Sequence, residues 1–269
     1  MELVKAVILG ILQGLTEFLP ISSSGHLVIG SAILDFHEPG IVFEVFLHAG
    51  TLLAVILVFY RELLLMFRSL FVSPVARRED PELSRYFQWN ICVVVATLPA
   101  VVAALLFKDA IERIFDSLPL TFLMLGVTGV TMTATRLLRD RAAPVTWPRA
   151  LFIGVAQALA ILPGLSRSGS TIFAGMLLGI NRETAARFSF IMSIPAILGA
   201  VVLHIGELVR TPLATNGLAA ILVGTLASAI SGYFAIILLL RVIRRGTLEW
   251  FGYYCLLVAG LGMGWYLLR

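Results

Sequence analysis

The stretch GILQGLTEFLPISSSGH, residues 10–26, interrupts an apolar run with a glutamine, a glutamate, a proline and three serines. A second stretch, GVAQALAILPGLSRSGST at residues 154–171, interrupts a later apolar run in the same way. Gly10 and Gln13 recur as Gly154 and Gln157, and the Ser-Gly pair that follows recurs at the same spacing. The recurrence predicts two copies of one structural unit.

The chain around these two stretches is too apolar for a water-soluble domain. Of its 269 residues, 59% are hydrophobic and 13% are charged, against about 45–50% and about 25% in soluble proteins. Because the apolar runs are long and continuous rather than alternating, they predict membrane-spanning helices and not a barrel. The predicted class is an all-α integral membrane protein, and the segment from Met1 to Lys5 predicts no cleaved signal peptide.

Six apolar runs are long enough to cross a membrane as helices: 41–60, 88–107, 119–138, 187–208, 217–240 and 248–268. The two interrupted stretches, 2–34 and 149–181, are different because each of their arms has only about 12–16 residues, or roughly 18–24 Å of helix. A bilayer core is about 30 Å thick. We therefore predict two re-entrant helical hairpins that enter and leave the membrane on the same side.

One hairpin followed by three spans makes each half of the chain, about 1–140 and 149–269, within a single membrane domain. An odd number of crossings per half predicts an inverted-topology repeat. The positive-inside rule orients it, because most basic residues lie in four segments that would share the cytoplasmic face: 61–85, 136–149, 182–187 and 241–245. Both termini are then outside, together with the few basic residues of the opposite face, Lys5, Lys108, Arg113, Arg210 and Arg269.

The same distribution of charge excludes a nucleic-acid partner, since the net charge of +4 comes from short loops that orient the spans. Cys92 and Cys255 lie inside apolar spans with no ligand motif near them, so we predict packing roles for both.

The first hairpin tip combines a carboxylate with hydroxyl groups. Glu17 lies in an apolar context where it must be paired, protonated or bound to metal, and a structural capping role is the alternative. Gln13 lies one turn earlier on the same helix face. Pro20 ends the first arm, and the second arm begins at Ser22, Ser23 and Ser24, of which one serves as a helix cap. His26 follows in the first turn of that arm.

The second tip carries a cation instead. Arg167 lies within the membrane with no acidic neighbour in sequence, so its partner is either Glu17 from the other hairpin or a bound anion. Ser166, Ser168 and Thr171 add hydroxyl groups around a helix start, and a guanidinium binds phosphate through paired hydrogen bonds. The combination predicts a phosphate-binding site at mid-membrane, where the two tips meet. Glu44 and His48, four residues apart on one helix face, are weaker candidates whose role stays open.

With Gln13-x-x-x-Glu17 and the run from Pro163 to Thr171, the sequence resembles the undecaprenyl-diphosphatase, or bacitracin-resistance, family over essentially its whole length. The second motif is highly specific. The resemblance implies removal of the terminal phosphate from a C55 polyprenyl diphosphate in the bacterial inner (plasma) membrane, which recycles the carrier lipid of peptidoglycan synthesis, and also antibiotic resistance. It further implies dependence on a divalent cation. Glu17 either binds this ion, Mg²⁺ or Ca²⁺, or takes a proton from the nucleophile.

When the family's functional residues are transferred to the matching positions of this sequence, the resemblance implies one set of catalytic residues and one set of substrate ligands. The catalytic residues are Glu17, Ser23, His26 and Arg167; the ligands of the substrate are Gln13, Ser22, Ser24, Ser166, Ser168 and Thr171. Gln13 stands at the first acidic position of the family motif, which weakens any model in which two carboxylates jointly hold the metal. Ser23 or a water molecule is the nucleophile. Inverted repeats with broken helices also fit a transporter or flippase of a phosphorylated lipid or anion, and the chain could form a homodimer.

Overall fold

The computed structural model describes residues 2–34, 40–107, 114, 117–210 and 215–268, and these residues form helices and no strand. The helices of the first half are α1 (Glu2–Phe18), α2 (Ser23–Leu34), α3 (Gly40–Val58), α4 (Tyr60–Phe71), α5 (Pro74–Glu79), α6 (Pro81–Leu106) and α7 (Leu118–Ala134). A short 3₁₀ turn, Thr135–Leu137, ends that half. The second half contains α8 (Trp147–Leu159), α9 (Arg167–Leu177), α10 (Arg182–Arg210), α11 (Thr215–Arg245) and α12 (Glu249–Leu268).

Each of the six predicted spans falls on one helix, namely α3, α6, α7, α10, α11 and α12. Among the described residues, four helices are long and apolar enough to cross a membrane: Pro81–Leu106, Leu118–Leu137, Gly217–Arg245 and Glu249–Leu268. A fifth span arises if α3 and α4 are counted as one bent segment. The all-helical class and a multi-pass membrane protein are therefore confirmed.

The two interrupted stretches are helix pairs separated by a break. α1 ends at Phe18, two residues before Pro20, because proline has no N–H to donate and disfavours a helical residue before it. α8 ends at Leu159 and α9 starts at Arg167, with Pro163 between them. With 17 residues in α1 and 11 in α9, the arms measure about 26 Å and about 17 Å.

The segment 61–85, which joins the predicted spans 41–60 and 88–107, is helical over most of its length. α4 and α5 occupy it, and α6 begins at Pro81 instead of near residue 88. Local sequence explains the helices, because Ser73 and Asp80 cap α5 and α6 and each precedes a proline at the first helical position. α3 and α4 are bent by 77° at the break between them.

The first arm of each hairpin packs against a long helix of the opposite half. α1 lies along α11, and α8 lies along α6. Gly10 and Gly154, which occupy equivalent positions of the two stretches, are points of close approach: a Cβ at either would collide with the backbone of Gly224 or Ala96, respectively. α3 also contacts α10, and α7 contacts α12, so helices of the two halves pack against each other.

Cys92 and Cys255 are buried and free, as their packing roles predict. Three of the charges used to orient the spans, Lys108, Arg113 and Arg269, lie outside the described residues.

Candidate active site at the meeting of the two helix breaks

Glu17, in the last turn of α1, is the centre of the candidate site. The residue is only 7% exposed. Its Oε2 accepts hydrogen bonds from Gln13 Nε2 at 2.9 Å and from Ser23 Oγ at 2.6 Å. Gln13 reaches Glu17 because residues four apart lie on the same helix face, and Ser23 reaches it because the break turns the chain back on itself. The first break therefore places a hydroxyl group directly on a buried carboxylate.

Arg167 approaches the same carboxylate from the second break. Its terminal Nη2 lies 2.5 Å from Oε1 of Glu17, across 150 residues of sequence. The two side chains are 19% and 5% exposed, so each charge is largely withdrawn from solvent. Such burial is tolerated because each charge is the counter-ion of the other. Of the two partners predicted for Arg167, the structure has Glu17, and the predicted meeting of the tips is confirmed.

Two further hydrogen bonds hold the breaks together through the backbone. Ser168 Oγ donates to the carbonyl oxygen of Leu19 at 3.2 Å, and the Gly164 N–H donates to Ser24 Oγ at 3.4 Å. Gly169 also lies close to Pro20, because a Cβ added at this glycine would be only 3.3 Å from the proline Cβ. Ser24 and Ser168, both predicted as substrate ligands, thus lie at the junction of the two breaks.

Other predicted ligands have structural partners of their own. Ser166 caps α9, with Oγ accepting from the Gly169 N–H at 3.1 Å, and its own N–H donates to Thr128 Oγ1 at 2.9 Å. Thr171 Oγ1 lies 2.6 Å from Ser189 Oγ and also donates to the backbone of α9. These two hydroxyl groups are buried inside the second hairpin, and their hydrogen bonds are made there and not to Glu17.

Ser22 has the only positive φ among the described non-glycine residues, +70°. Its Oγ accepts a weak hydrogen bond of 3.4 Å from the Gly25 N–H and lies 3.3 Å from Ser24 Oγ. A left-handed φ is unfavourable for a residue with a Cβ, so the chain accepts local strain at the point where α2 begins. This turn points the start of α2, with Ser23, back toward Glu17.

His48 is a fourth neighbour of Glu17, contributed by α3. Its Nε2 lies 3.5 Å from Glu17 Oε2. Its Nδ1 lies 2.8 Å from the carbonyl oxygen of Glu44, and a carbonyl can only accept, so Nδ1 carries a proton and Nε2 faces the carboxylate. The spacing of Glu44 and His48 marked this pair in the sequence, and the structure brings His48 to the site while the Glu44 side chain is exposed.

His26 does not contact Glu17 directly. Nδ1 lies 2.8 Å from the carbonyl oxygen of Ser22, and Nε2 lies 2.8 Å from the hydroxyl oxygen of Tyr254 on α12. The two rings are stacked with an angle of 15° between their planes. Sequence reasoning missed Tyr254, because it is 228 residues from His26 and belongs to no motif.

A divalent cation fits the first break better than the second. The carboxylate of Glu17 is flanked by the hydroxyl of Ser23 and by Gln13, whose Oε1 is buried and has no hydrogen-bond partner among the described residues. Oxygen donors of this kind are the ligands that Mg²⁺ and Ca²⁺ prefer. No three His, Cys, Asp or Glu side chains cluster in the described part of the chain, so such an ion would need oxygens from a substrate phosphate as well.

Chemically, the site places the Ser23 hydroxyl in hydrogen-bond contact with the Glu17 carboxylate, and the Arg167 guanidinium contacts the same carboxylate. A nucleophile within hydrogen-bond reach of its base is the arrangement needed for covalent catalysis. A planar guanidinium next to it can bind the oxygens of a phosphoryl group in pairs. The arrangement therefore suits phosphoryl transfer.

The chain is similar to known proteins over nearly its full length. The family described as "Bacitracin resistance protein BacA" matches residues 6–261. Proteins named "Undecaprenyl-diphosphatase" include one from Desulfatibacillum aliphaticivorans, 38% identical over 268 residues, with 96% of each chain covered. Another, from Desulfosudis oleivorans, is 40% identical over 277 residues, with 97% of each chain covered. A third, from Methanosphaera stadtmanae, is 37% identical over 272 residues, with 96% of each chain covered.

Proposed function

This chain belongs to the bacitracin resistance protein BacA family, and we propose that it hydrolyses undecaprenyl diphosphate to undecaprenyl phosphate and inorganic phosphate. The names of its relatives support a phosphatase activity for the chain. The identity of the lipid substrate and of the products is what we propose. The observation that carries it is the contact of Glu17 with both Ser23 and Arg167. The product would return to peptidoglycan synthesis as carrier lipid.

In the proposed reaction, the hydroxyl of Ser23 attacks the terminal phosphorus while Glu17 takes its proton. The bond from that phosphorus to the bridging oxygen breaks, and the bridging oxygen leaves with the prenyl phosphate. Water then attacks the phosphoserine, releases inorganic phosphate and regenerates the Ser23 hydroxyl. Arg167 exchanges its contact with Glu17 for the phosphoryl oxygens, whose charge it stabilises, and His26 carries the proton away.

Glu17 and Gln13 Oε1 would hold a divalent cation, Mg²⁺ or Ca²⁺, together with substrate oxygens. When bound, such an ion neutralises negative charge on the diphosphate. The remaining hydroxyl groups near the breaks, those of Ser22, Ser24 and Ser168, would orient the phosphates, and the substrate contacts predicted for Ser166 and Thr171 would need their present hydrogen bonds to open.

Direct attack by water is the alternative to Ser23, and the two routes separate in one experiment. The Ser23 route forms a phosphoenzyme, so acid quenching of wild-type protein mixed with terminally labelled lipid diphosphate traps label on the protein, and Ser23→Ala traps none. Ser24→Ala is the matched control, since it alters the neighbouring hydroxyl. A Ser23→Ala protein with near wild-type turnover assigns the attack to water.

The proposed architecture has six transmembrane helices and two re-entrant hairpins, related as an inverted repeat within one domain, with halves of about 1–140 and 149–269. Its support is the shortness of the hairpin arms and the exchange of partners, with α1 on α11 and α8 on α6. The proposed location is the bacterial inner membrane with both termini outside. Cysteine labelling in intact cells tests this: residues in 61–85 should react only after permeabilisation, and a cytoplasmic C-terminus would contradict the inverted repeat.

Phosphate release by purified protein in detergent tests the proposed function. No gradient exists in detergent, so a transporter or flippase without hydrolytic activity releases nothing, whereas the proposed enzyme turns over repeatedly. Glu17→Gln protein, purified in the same way, controls for contaminating phosphatases. No release from folded wild-type protein in the presence of Mg²⁺ or Ca²⁺ would overturn the proposal and favour transport.

Homodimer formation stays a prediction, which light scattering of the detergent-solubilised protein would test.

A further inference from the structure

His26 has both ring nitrogens engaged within the protein. Its Nδ1 lies 2.8 Å from the Ser22 carbonyl oxygen, which can only accept, so Nδ1 carries a proton. In the neutral ring Nε2 is then an acceptor, and the Tyr254 hydroxyl, 2.8 Å away, donates to it. The Ser22 carbonyl consequently fixes Nε2 as the ring nitrogen that can take a proton, and the Tyr254 hydroxyl contacts that nitrogen.

Tyr254 is well placed to hold this ring because α12 runs along the first break. The neighbouring residue, Cys255, lies with its Sγ 3.8 Å from the carbonyl oxygen of Pro20. The Tyr254 ring is stacked on His26 with a centroid separation of 5.6 Å. His26 is only 8% exposed, whereas Tyr254 is 42% exposed. The more accessible side of the pair is therefore the tyrosine.

We propose that Tyr254 is a positioning residue for the phosphatase reaction, holding the His26 ring with Nε2 as its proton acceptor. The proposal rests on the proposed function of the site, in which His26 carries a proton. A proton that reaches the pair binds the Tyr254 oxygen while the original O–H proton passes to Nε2, and the oxygen then accepts a hydrogen bond from the new Nε2–H. The ring then keeps its place in both protonation states, because a tyrosine hydroxyl can donate or accept.

The test substitutions are Tyr254→Phe and, as the matched control, Tyr253→Phe. Both remove one hydroxyl from adjacent residues of α12 and keep the ring. Tyr253 is bound instead to Arg136, with 3.3 Å between its hydroxyl oxygen and Nη1. Because one neutral hydrogen bond is removed, Tyr254→Phe should lower kcat by about threefold to tenfold with little change in KM. Tyr253→Phe should leave both constants at wild-type values.

A double substitution tests whether Tyr254 acts through His26. In a His26→Asn background, Tyr254→Phe should cause no further loss, because residues that act as one unit are non-additive. An equal loss in both backgrounds, or an equal loss in Tyr253→Phe, would overturn the proposal, since a general perturbation of α12 would then explain the data. Wild-type kcat in Tyr254→Phe would overturn it as well.

Imidazole ¹⁵N spectra supply a readout that does not depend on activity. The chain has four histidines, and His26→Asn assigns the resonances of His26. The wild-type spectrum should show His26 protonated on Nδ1, with Nε2 as a hydrogen-bonded acceptor, and Tyr254→Phe should move the Nε2 resonance while Tyr253→Phe leaves it in place. An unmoved resonance overturns this proposal even if phosphate release is normal, whereas absent release with the expected spectra overturns only the proposed function.

Discussion

The two helix breaks share a framework but differ in charge. In the register of the repeat, Glu17 corresponds to Ile161, and Ser23 corresponds to Arg167. One break thus carries the carboxylate and its hydroxyl partner, and the other carries the guanidinium. Neither break alone can satisfy its own buried charge, since Glu17 and Arg167 are each other's counter-ions. The two breaks are thus similar in sequence and in helix arrangement, but the charged groups of the site are divided between them.

The two glutamines at equivalent positions of the breaks, Gln13 and Gln157, also differ in their hydrogen bonds. Gln13 donates from Nε2 to Glu17, whereas Gln157, buried at the equivalent position, has neither amide atom in a hydrogen bond within the described part of the chain. Both are almost fully buried, at 0% and 3% exposure. Both breaks therefore have a glutamine at this position, but only the first break has a carboxylate, that of Glu17, with which the amide forms a hydrogen bond.

Removal of the divalent cation should have the largest effect on activity. If the ion is held by the first break, chelation with EDTA followed by dialysis should abolish phosphate release, and Mg²⁺ or Ca²⁺ should restore it, because the site has one carboxylate for a highly charged diphosphate. Release is measured before and after the metal is returned. Full turnover in excess chelator would mean that Arg167 and the helix starts suffice.

Breaking the contact between the two breaks should have the next largest effect. Arg167→Lys and Glu17→Gln should each lower kcat/KM by at least about tenfold, because a charge-assisted hydrogen bond is lost and an ammonium cannot reproduce the planar fork. The double substitution should be little worse than the more severe single one. The measurement is phosphate release by detergent-purified proteins that elute as wild type on size exclusion.

A second, partly buried arginine provides the control for this experiment. Arg187 lies 2.5 Å from Glu62 and 2.9 Å from Glu183, in an ion-pair cluster that does not include Glu17. Arg187→Lys should therefore retain near wild-type activity. The proposal that one site is divided between the two breaks would be wrong if Arg187→Lys lowered kcat/KM as much as Arg167→Lys. It would also be wrong if the effects of Arg167→Lys and Glu17→Gln were additive.

Substitution of the two glutamines should have the smallest effects on activity, and the two variants should differ clearly from each other. Gln13→Leu should lower kcat/KM by about threefold to tenfold, because Glu17 loses one donor, and should raise the cation concentration required. Gln157→Leu should leave activity unchanged and leave Tm unchanged or higher, since a buried amide without partners is replaced by an apolar group. Equal losses in both variants would contradict a functional difference between the copies.

Much of the fold was predictable because it depends on local properties of the chain. Each of the six predicted spans is a helix, and Pro20 and Pro163 mark the two breaks. The pairing of Glu17 with Arg167 was predictable in a different way, by elimination, because a buried charge needs a counter-ion. The helices in 61–85 lie outside the six apolar runs, so the length of those runs does not predict them; their local signals are the capping residues Ser73 and Asp80.

The sequence by itself determined which apolar runs are long enough to span a bilayer, because the bilayer thickness sets that length. It also determined where the helices break, because proline ends a helix, and which residue types lie at each tip. Only the tertiary structure decided that His48 faces Glu17, that Tyr254 holds His26 and that the Thr171 hydroxyl turns to Ser189. These contacts depend on the rotation of each helix about its axis. Packing against neighbours from the other half sets that rotation, and no local pattern encodes it.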